Sequence, residues 1–168
     1  MIVIICGLPG VGKTSLARDL APLINAIVLS TDKIRKELIP YPRYSREERR
    51  LVYDVMLLLA KYLHNAGINC ILDATFNRES SRTEAKKKLA LNSSQVHMVE
   101  CICPENIIVS RLRTRKNDFS DADVSIYKNM KRIYEPVKEP HIVVDTAIPS
   151  NINAKEIAKK LLKSYDDQ

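Results

Sequence analysis

The sequence predicts an α/β fold, a three-layer sandwich in which helices cover both faces of a five-stranded parallel sheet. Three observations predict it. Apolar runs rich in β-branched residues alternate with helix-like segments five times along the chain, the order that builds a parallel sheet. The first run, IVIIC at residues 2–6, is continuously apolar, as a strand covered on both faces must be. No internal repeat, low-complexity tract or linker breaks the alternation, so residues 1–168 read as one domain.

The elements follow in order. Ile2–Cys6 is the first strand and Lys13–Leu20 the first helix, with Pro22 soon after. Ala26–Leu29 is the second strand, running into Asp32 and Arg35 in the stretch VLSTDKIR. Ser45 to Ala66 is the longest helix: Ser45-Arg46-Glu47-Glu48 has the form of a capping box, and Gly67 stops it. Leu51, Val52, Val55, Leu58, Leu59 and Tyr62 give that helix an apolar face. Asn69–Leu72 is a third strand ended by Asp73, and Ser80–Leu91 a basic helix. Val96–Ile102 is the fourth strand, after which Pro104 opens a helix running toward Arg115. Ser120–Tyr134 is a further helix halted by Pro136, and His141–Val144 is the fifth strand. Asn153 is expected to cap a final amphipathic helix carrying Ile157, Leu161 and Leu162.

Composition narrows the function classes. Hydrophobic residues at 45% and charged residues at 28% exclude a disordered body. Lys and Arg outnumber Asp and Glu by 27 to 20, which favours anionic partners without choosing among nucleotides, sulfates and nucleic acid. No apolar run is long enough to span a bilayer, and MIVIIC is too short for a signal-peptide core. Cys6, Cys70, Cys101 and Cys103 form no disulfide framework. Cys101-x-Cys103 lacks the second pair a structural zinc needs and reads as two buried thiols on one strand face. The expected compartment is the reducing cytoplasm. With 5% aromatic residues and no tryptophan there is no evident stacking platform for single strands. Lys86-Lys87-Lys88 reads as a solvated helix face, and His64, His97 and His141 have no partner in the sequence that suggests nucleophilic or metal chemistry.

The strongest signal is GLPGVGKT, Gly7 to Thr14, between the first strand and the first helix. It fills every fixed position of G-x-x-x-x-G-K-[ST]. Its glycines let backbone N–H groups turn inward around phosphate oxygens, and the following helix offers its positive end. Lys13 is placed to reach the β- and γ-phosphates and Thr14 to offer a hydroxyl to Mg²⁺. Gly7, Leu8, Pro9, Gly10, Val11, Gly12, Lys13, Thr14 and Ser15 are therefore the expected nucleotide-binding residues, with ATP and Mg²⁺ as cofactors.

Ligands of open parallel sheets lie beyond the carboxyl ends of the strands, and three charged features fall there. Asp32 and Arg35 are one helical turn apart, so a carboxylate that accepts a hydroxyl proton could stand beside a guanidinium that holds an anion. In CILDATFNRESSR, residues 70–82, Asp73 is placed to hold Mg²⁺ directly or through a water, and Thr75, Asn77, Arg78 and Arg82 could then shape the acceptor pocket. In SRLRTRKND, residues 110–118, Arg111 and Arg115 share a helical face suited to clamping a transferring phosphoryl group. Each has a plainer reading: a helix cap for Asp32, a strand-end cap for Asp73, a solvated basic helix end for the arginines.

Together, the N-terminal P-loop, D-x-x-R after strand two, D-A-T-F-N-x-x-x-x-R after strand three and R-x-x-x-R on a later helix resemble the polynucleotide-kinase-like P-loop kinases. That family is related to phage polynucleotide kinase, zeta toxins, seryl-tRNA kinases and, more distantly, adenylylsulfate kinases. The resemblance spans residues 1 to about 148 and includes SDADVSIY at 120–127 and IYEP at 133–136. It implies the strand order 2-3-1-4-5, a lid near residues 111–122, and a loop at 146–150 beside the donor base. It also implies Asp32 as the residue that orients or deprotonates an acceptor hydroxyl, Arg35 as the grip on its anionic group, Asp73 as a metal residue, and Arg111 with Arg115 as the lid clamp. Adenylylsulfate kinases typically carry I-S-P after the third strand; DATFNRESS here argues against that substrate.

The expected activity is transfer of the γ-phosphoryl group of ATP to a hydroxyl of an anionic acceptor. A nucleic-acid 5′-hydroxyl and a small phosphorylated metabolite or nucleotide both remain open. The rival from another class is a nucleotide-dependent regulatory ATPase or switch with no acceptor, which gives no reason for D-x-x-R.

Overall fold

The computed structural model describes residues 1–92, 94–114 and 122–166, the last three by backbone alone. Five strands, β1 (Ile2–Cys6), β2 (Ala26–Ser30), β3 (Asn69–Asp73), β4 (Val96–Ile102) and β5 (Ile142–Asp145), form one sheet in the order β2-β3-β1-β4-β5. Every pairing is parallel. Among the described residues seven α-helices surround it: α1 (Lys13–Leu20), α2 (Thr31–Leu38), α3 (Arg46–Asn65), α4 (Glu79–Leu89), α5 (Glu105–Thr114), α6 (Val124–Ile133) and α7 (Ser150–Asp166).

The central strand explains the layering. All five residues of β1 are buried, and successive side chains of a strand point to opposite faces. Val3 and Ile5 join Leu16 and Leu20 of α1 and Ile157 and Leu161 of α7. Ile2, Ile4 and Cys6 join Val52, Met56 and Ala60 of α3, Leu89 of α4 and Phe76. Each fully buried side chain of this size contributes roughly 1.5–3 kcal/mol, so a continuous apolar run is what a doubly covered strand requires.

Register then places the site. Ser30 of β2 and Ile5 of β1 both stand opposite Asp73 of β3, and Cys6 stands opposite Glu100 of β4. The carboxyl ends of β2, β3 and β1 are therefore nearly level, and β4 runs two residues further. The loops that leave them, with Lys13, Asp32 and Asp73, share one edge.

Several elements differ from the sequence expectation. The packed face of α3 is Val52, Met56, Leu57 and Ala60, whereas Leu51, Leu58 and Tyr62 are more than half exposed. The buried stripe is turned by about 130° from the stripe that hydrophobicity alone picks out, because α3 lies on β3 between α2 and α4. The stretch after β2, to which sequence patterning assigns no helix range, is helix α2. Helix α6 begins at Val124, where the Asp123 side chain accepts from Ile126 N–H. Pro104 precedes α5 and supplies its carbonyl to Ile107 and Ile108. Helix α7 starts at Ser150, so Asn153 is not its cap; the Asn153 amide instead donates to the carbonyls of Asp145 and Ile148. Cys101 is buried in β4 as expected, while Cys103 lies beyond the strand and is only half-buried.

Candidate active site

The loop after β1 has the backbone a phosphate cradle needs. Gly7 has φ +141°, and a Cβ there would lie 2.6 Å from the Cys101 carbonyl oxygen. Gly12, with φ +105°, immediately precedes α1 and brings no side chain to cap its first turn. A side chain at either position would strain the loop or crowd its neighbours. Lys13 Nζ donates to the Gly7 and Leu8 carbonyls, both at 2.9 Å, and so lies folded along the rim of the loop.

Thr14 Oγ1 donates to Asp73 Oδ2 at 2.7 Å. The two expected metal residues, 59 positions apart, are thus in direct contact, and Asp73 is 3% exposed. Both offer only hard oxygen ligands, the chemistry that suits Mg²⁺ held chiefly by water and substrate phosphates. Among the described residues, no group of three or more His, Cys, Asp or Glu could hold a metal by itself.

The back of the loop is fixed by residues from far along the chain. Arg111 Nη1 donates to the Val11 carbonyl at 3.1 Å, and Nη2 to the Thr146 carbonyl at 2.6 Å. Thr146 Oγ1 donates to Val11 and Ile102 carbonyls. Arg111 is therefore tied to the loop's backbone. Arg115 lies outside the described residues, as does most of the expected lid.

Beside β3, at the end of the neighbouring strand β2, stand Asp32 and Arg35. Asp32 begins α2 with its side chain about one-third exposed, and Arg35 Nη1 lies 3.3 Å from its Oδ1. The Arg35 side chain is buried, with Nε 3.1 Å from Glu48 Oε1 and the guanidinium carbon 4.9 Å above the Tyr44 ring. Tyr53 of α3 packs edge-on against Phe76, ring centroids 5.2 Å apart, and its hydroxyl oxygen accepts from Phe76 N–H. Burial pushes that hydroxyl up to about 12, with Asp32 and Asp73 near enough to add to the rise and Arg35 near enough to oppose it.

The loop carrying Phe76 is braced from below. Phe76 has φ +43°, a conformation bulky residues rarely adopt. Arg82, 2% exposed, donates Nη1 to the Phe76 carbonyl and Nη2 to that of Pro136. Its guanidinium is thus taken up by backbone carbonyls. Glu135 N–H donates to the Asn77 carbonyl, and the Glu135 carboxylate accepts from Glu79 N–H. The IYEP segment is thereby fastened to DATFN.

Sequence reasoning missed two carboxylates. Glu48 was legible only as a capping-box residue, yet its Oε2 accepts from Arg43 N–H at 2.7 Å and Tyr44 N–H at 3.0 Å. Glu100, 6% exposed, accepts from Tyr134 O–H at 2.7 Å and Val137 N–H at 3.3 Å and lies 3.1 Å from His141 Nε2. His141 therefore has a carboxylate partner that its sequence position did not reveal. Burial, then nearby Cys6 and Glu100, pushes the Tyr134 hydroxyl upward, and burial with Glu100 pushes the Cys6 thiol up to about 11. The signal for Glu100 was a lone acid inside an otherwise apolar strand. Lys86 and Lys88 also differ from a merely solvated face, pairing with Glu139 and with Asp54 and Glu84.

A glycine-bearing P-loop, a Thr14–Asp73 hydrogen bond at its helix start and a 2-3-1-4-5 sheet define a P-loop nucleotide-binding protein of kinase-like fold. Residues 2–137 match the family described as AAA domain, and the chain belongs to it. A probable adenylyl-sulfate kinase of Archaeoglobus fulgidus is 28% identical over 153 residues, covering 86% of this chain and 95% of that protein. An uncharacterized protein of Mycobacterium tuberculosis is 30% identical over 137 residues, 74% of this chain; the match spans 28% of that relative's length. Among solved structures, the APS kinase of Mycobacterium tuberculosis in complex with AMPPNP and APS aligns with a TM-score of 0.74 at 20% identity, covering 96% of each chain. A sugar kinase from Janibacter sp. HTCC2649 aligns with a TM-score of 0.74 at 18% identity over 96% of this chain and 94% of that one. At these identities the structural likeness is one of fold.

Proposed function

We propose that this protein is a polynucleotide-kinase-like P-loop kinase that moves the γ-phosphoryl group of ATP to a hydroxyl of an anionic acceptor. A polynucleotide 5′-hydroxyl and a small phosphorylated metabolite are the two acceptor classes. The observation that carries the proposal is the second carboxylate, Asp32, standing across the sheet edge from the Thr14–Asp73 pair with its side chain one-third exposed. A regulatory ATPase needs the metal pair but has no use for that carboxylate.

In this reading the loop's backbone N–H groups and Lys13 hold the phosphates, Lys13 exchanging the Gly7 and Leu8 carbonyls for phosphate oxygens. Thr14 and Asp73 would hold Mg²⁺, which would supply charge neutralisation at the phosphates. Asp32 accepts the proton of the acceptor hydroxyl as its oxygen bonds to the γ-phosphorus and the bond to the bridging oxygen of ADP breaks. Tyr53, Phe76 and Arg82 keep the opposite wall in place, since such transfers depend chiefly on positioning and charge stabilisation. Arg111 fixes the loop from behind, and the clamp over the phosphoryl group falls to Arg115 within a lid at 111–122 of this single domain.

The test is transfer of labelled γ-phosphate from ATP–Mg²⁺ to a panel of 5′-hydroxyl oligonucleotides, nucleosides, nucleotides, adenylylsulfate and seryl-tRNA. Label on one acceptor, lost in Asp32→Asn, is the expected result. Free phosphate alone, released equally by both proteins, would establish the switch reading instead.

A further inference from the structure

Arg35 is 6% exposed, yet its Nε has no aligned hydrogen-bond partner. The atom facing it, Glu48 Oε1, is also buried and also lacks one. The two lie 3.1 Å apart, close enough for ionic attraction and too poorly aligned for a hydrogen bond. Its other carboxylate neighbour, Asp32, accepts from Nη1 at 3.3 Å, a long contact for a charge-assisted bond. Buried polar atoms left unsatisfied in a native fold call for an explanation. Here two of them face each other.

The rest of Glu48 is well bound. Its Oε2 accepts from the backbone N–H groups of Arg43 and Tyr44, and Ser45 Oγ accepts from its own N–H. Tyr44 sits at φ +56° with its ring over the Arg35 guanidinium. One carboxylate thus holds a strained loop with one oxygen and Arg35, loosely, with the other.

We propose that Glu48 is an internal stand-in for the anionic group of the acceptor, a specificity-determining residue that occupies Arg35 until an anion displaces it. The proposal rests on the reading of Arg35 as the acceptor's grip. A tetrahedral oxyanion such as phosphate or sulfate supplies oxygens in directions that Oε1, tethered through Oε2 to the loop, does not reach. It would align with Nε, while Glu48 keeps its two backbone donors. Because two carboxylates already flank the guanidinium, a weakly charged acceptor gains nothing by displacing them. Glu48 therefore sets a threshold that only a strong anion passes.

Inorganic sulfate is a sufficient probe and needs neither turnover nor a known acceptor. It is titrated calorimetrically into the full chain with Mg²⁺ and a non-hydrolysable ATP analogue, whose own binding is read first and tests the kinase reading separately. In Glu48→Gln the amide oxygen still accepts from Arg43 or Tyr44 while the charge opposing the anion is gone. Sulfate should then bind on the order of tenfold tighter than to wild type, as expected when one nearby like charge is removed. The gain should vanish in the Arg35→Gln/Glu48→Gln double variant. Unchanged or weaker binding in Glu48→Gln, or a gain that survives loss of Arg35, would overturn the proposal. Should Glu48→Gln fail to fold, wild type decides it: the Arg35 Nε–H NMR signal should shift to saturation as sulfate is added, and a signal unmoved by sulfate would refute the exchange.

Discussion

On the proposed reading the site has a donor half and an acceptor half, and the two are built on different principles. On the donor side, one short segment supplies the cradle: Gly7, Gly12, Lys13 and Thr14 lie within eight residues, and most of what they present is backbone. Its supports, Asp73, Arg111 and Thr146, reach it with well-formed bonds. On the acceptor side, Asp32, Arg35, Glu48, Tyr53 and Phe76 come from three segments and meet through side chains. There the contacts are longer, two aromatic residues sit at positive φ, and two buried atoms lack aligned partners. Strain and imperfect satisfaction are concentrated on the Asp32–Arg35 side, as they are at many ligand-binding sites.

The largest effects should break the comparison at its two centres. Lys13→Ala should raise the KM for ATP and lower kcat together, since the same cation serves binding and transfer. Asp32→Asn should lower kcat by about 10²–10⁴-fold, the range for loss of a positioned base, with the KM for ATP unchanged. Steady-state kinetics on the acceptor found in the transfer assay would separate them. Equal losses in both parameters for Asp32→Asn would place that carboxylate on the donor side and dissolve the distinction.

A smaller effect probes the brace beneath the acceptor loop. Arg82→Met leaves the carbonyls of Phe76 and Pro136 without their buried donor. About 2–4 kcal/mol of stability should be lost, from one to two buried groups left unsatisfied. Because Phe76 holds an unfavourable φ, nucleotide affinity should survive in the folded fraction while acceptor KM rises. Chemical denaturation with calorimetric titration of ATP would check both. Tyr134→Phe should cost less, about 1.5–3 kcal/mol for one bond to a buried carboxylate, because Glu100 keeps Val137 N–H and His141.

The same contrast explains what the sequence revealed. The donor half was legible because its chemistry is local: spacing of glycines, a lysine and a hydroxyl fixes backbone geometry, and a strand-end aspartate completes it. The strand order followed from resemblance and is the order observed. Asp32 and Arg35 were found for the same local reason, being one turn apart. Glu48 was not, because its position three residues after Ser45 has a sufficient explanation in capping; its second role exists only once α2 and α3 are side by side. Glu100 and His141 are 41 residues apart, and no local pattern joins them. The apolar stripe of α3 misled for a related reason: periodicity identifies which residues could face a core, while the neighbouring helices decide which do.

The smallest effect lies away from both halves. His97 is the second residue of β4, at the amino end of the sheet, opposite Val3. Its Nε2 is buried without a partner, and burial lowers its pKa below the usual 6.5. Burial lowers that of His64 as well. A neutral imidazole is thus favoured in the folded state, while the unfolded chain takes up protons near 6.5. Below that pH the unfolded state binds more protons, so stability falls as the solution is acidified and levels off below the folded pKa. Urea midpoints should therefore drop between pH 7.5 and 5, and the drop should shrink, without vanishing, in His97→Phe because His64 remains. A midpoint that rises on acidification would show the sign to be wrong. Since His97 lies at the opposite edge of the sheet from Asp32 and Asp73, the ATP affinity of the folded protein should not follow the His97 substitution. The fold's response to pH and the site's response to its ligands can then be read apart.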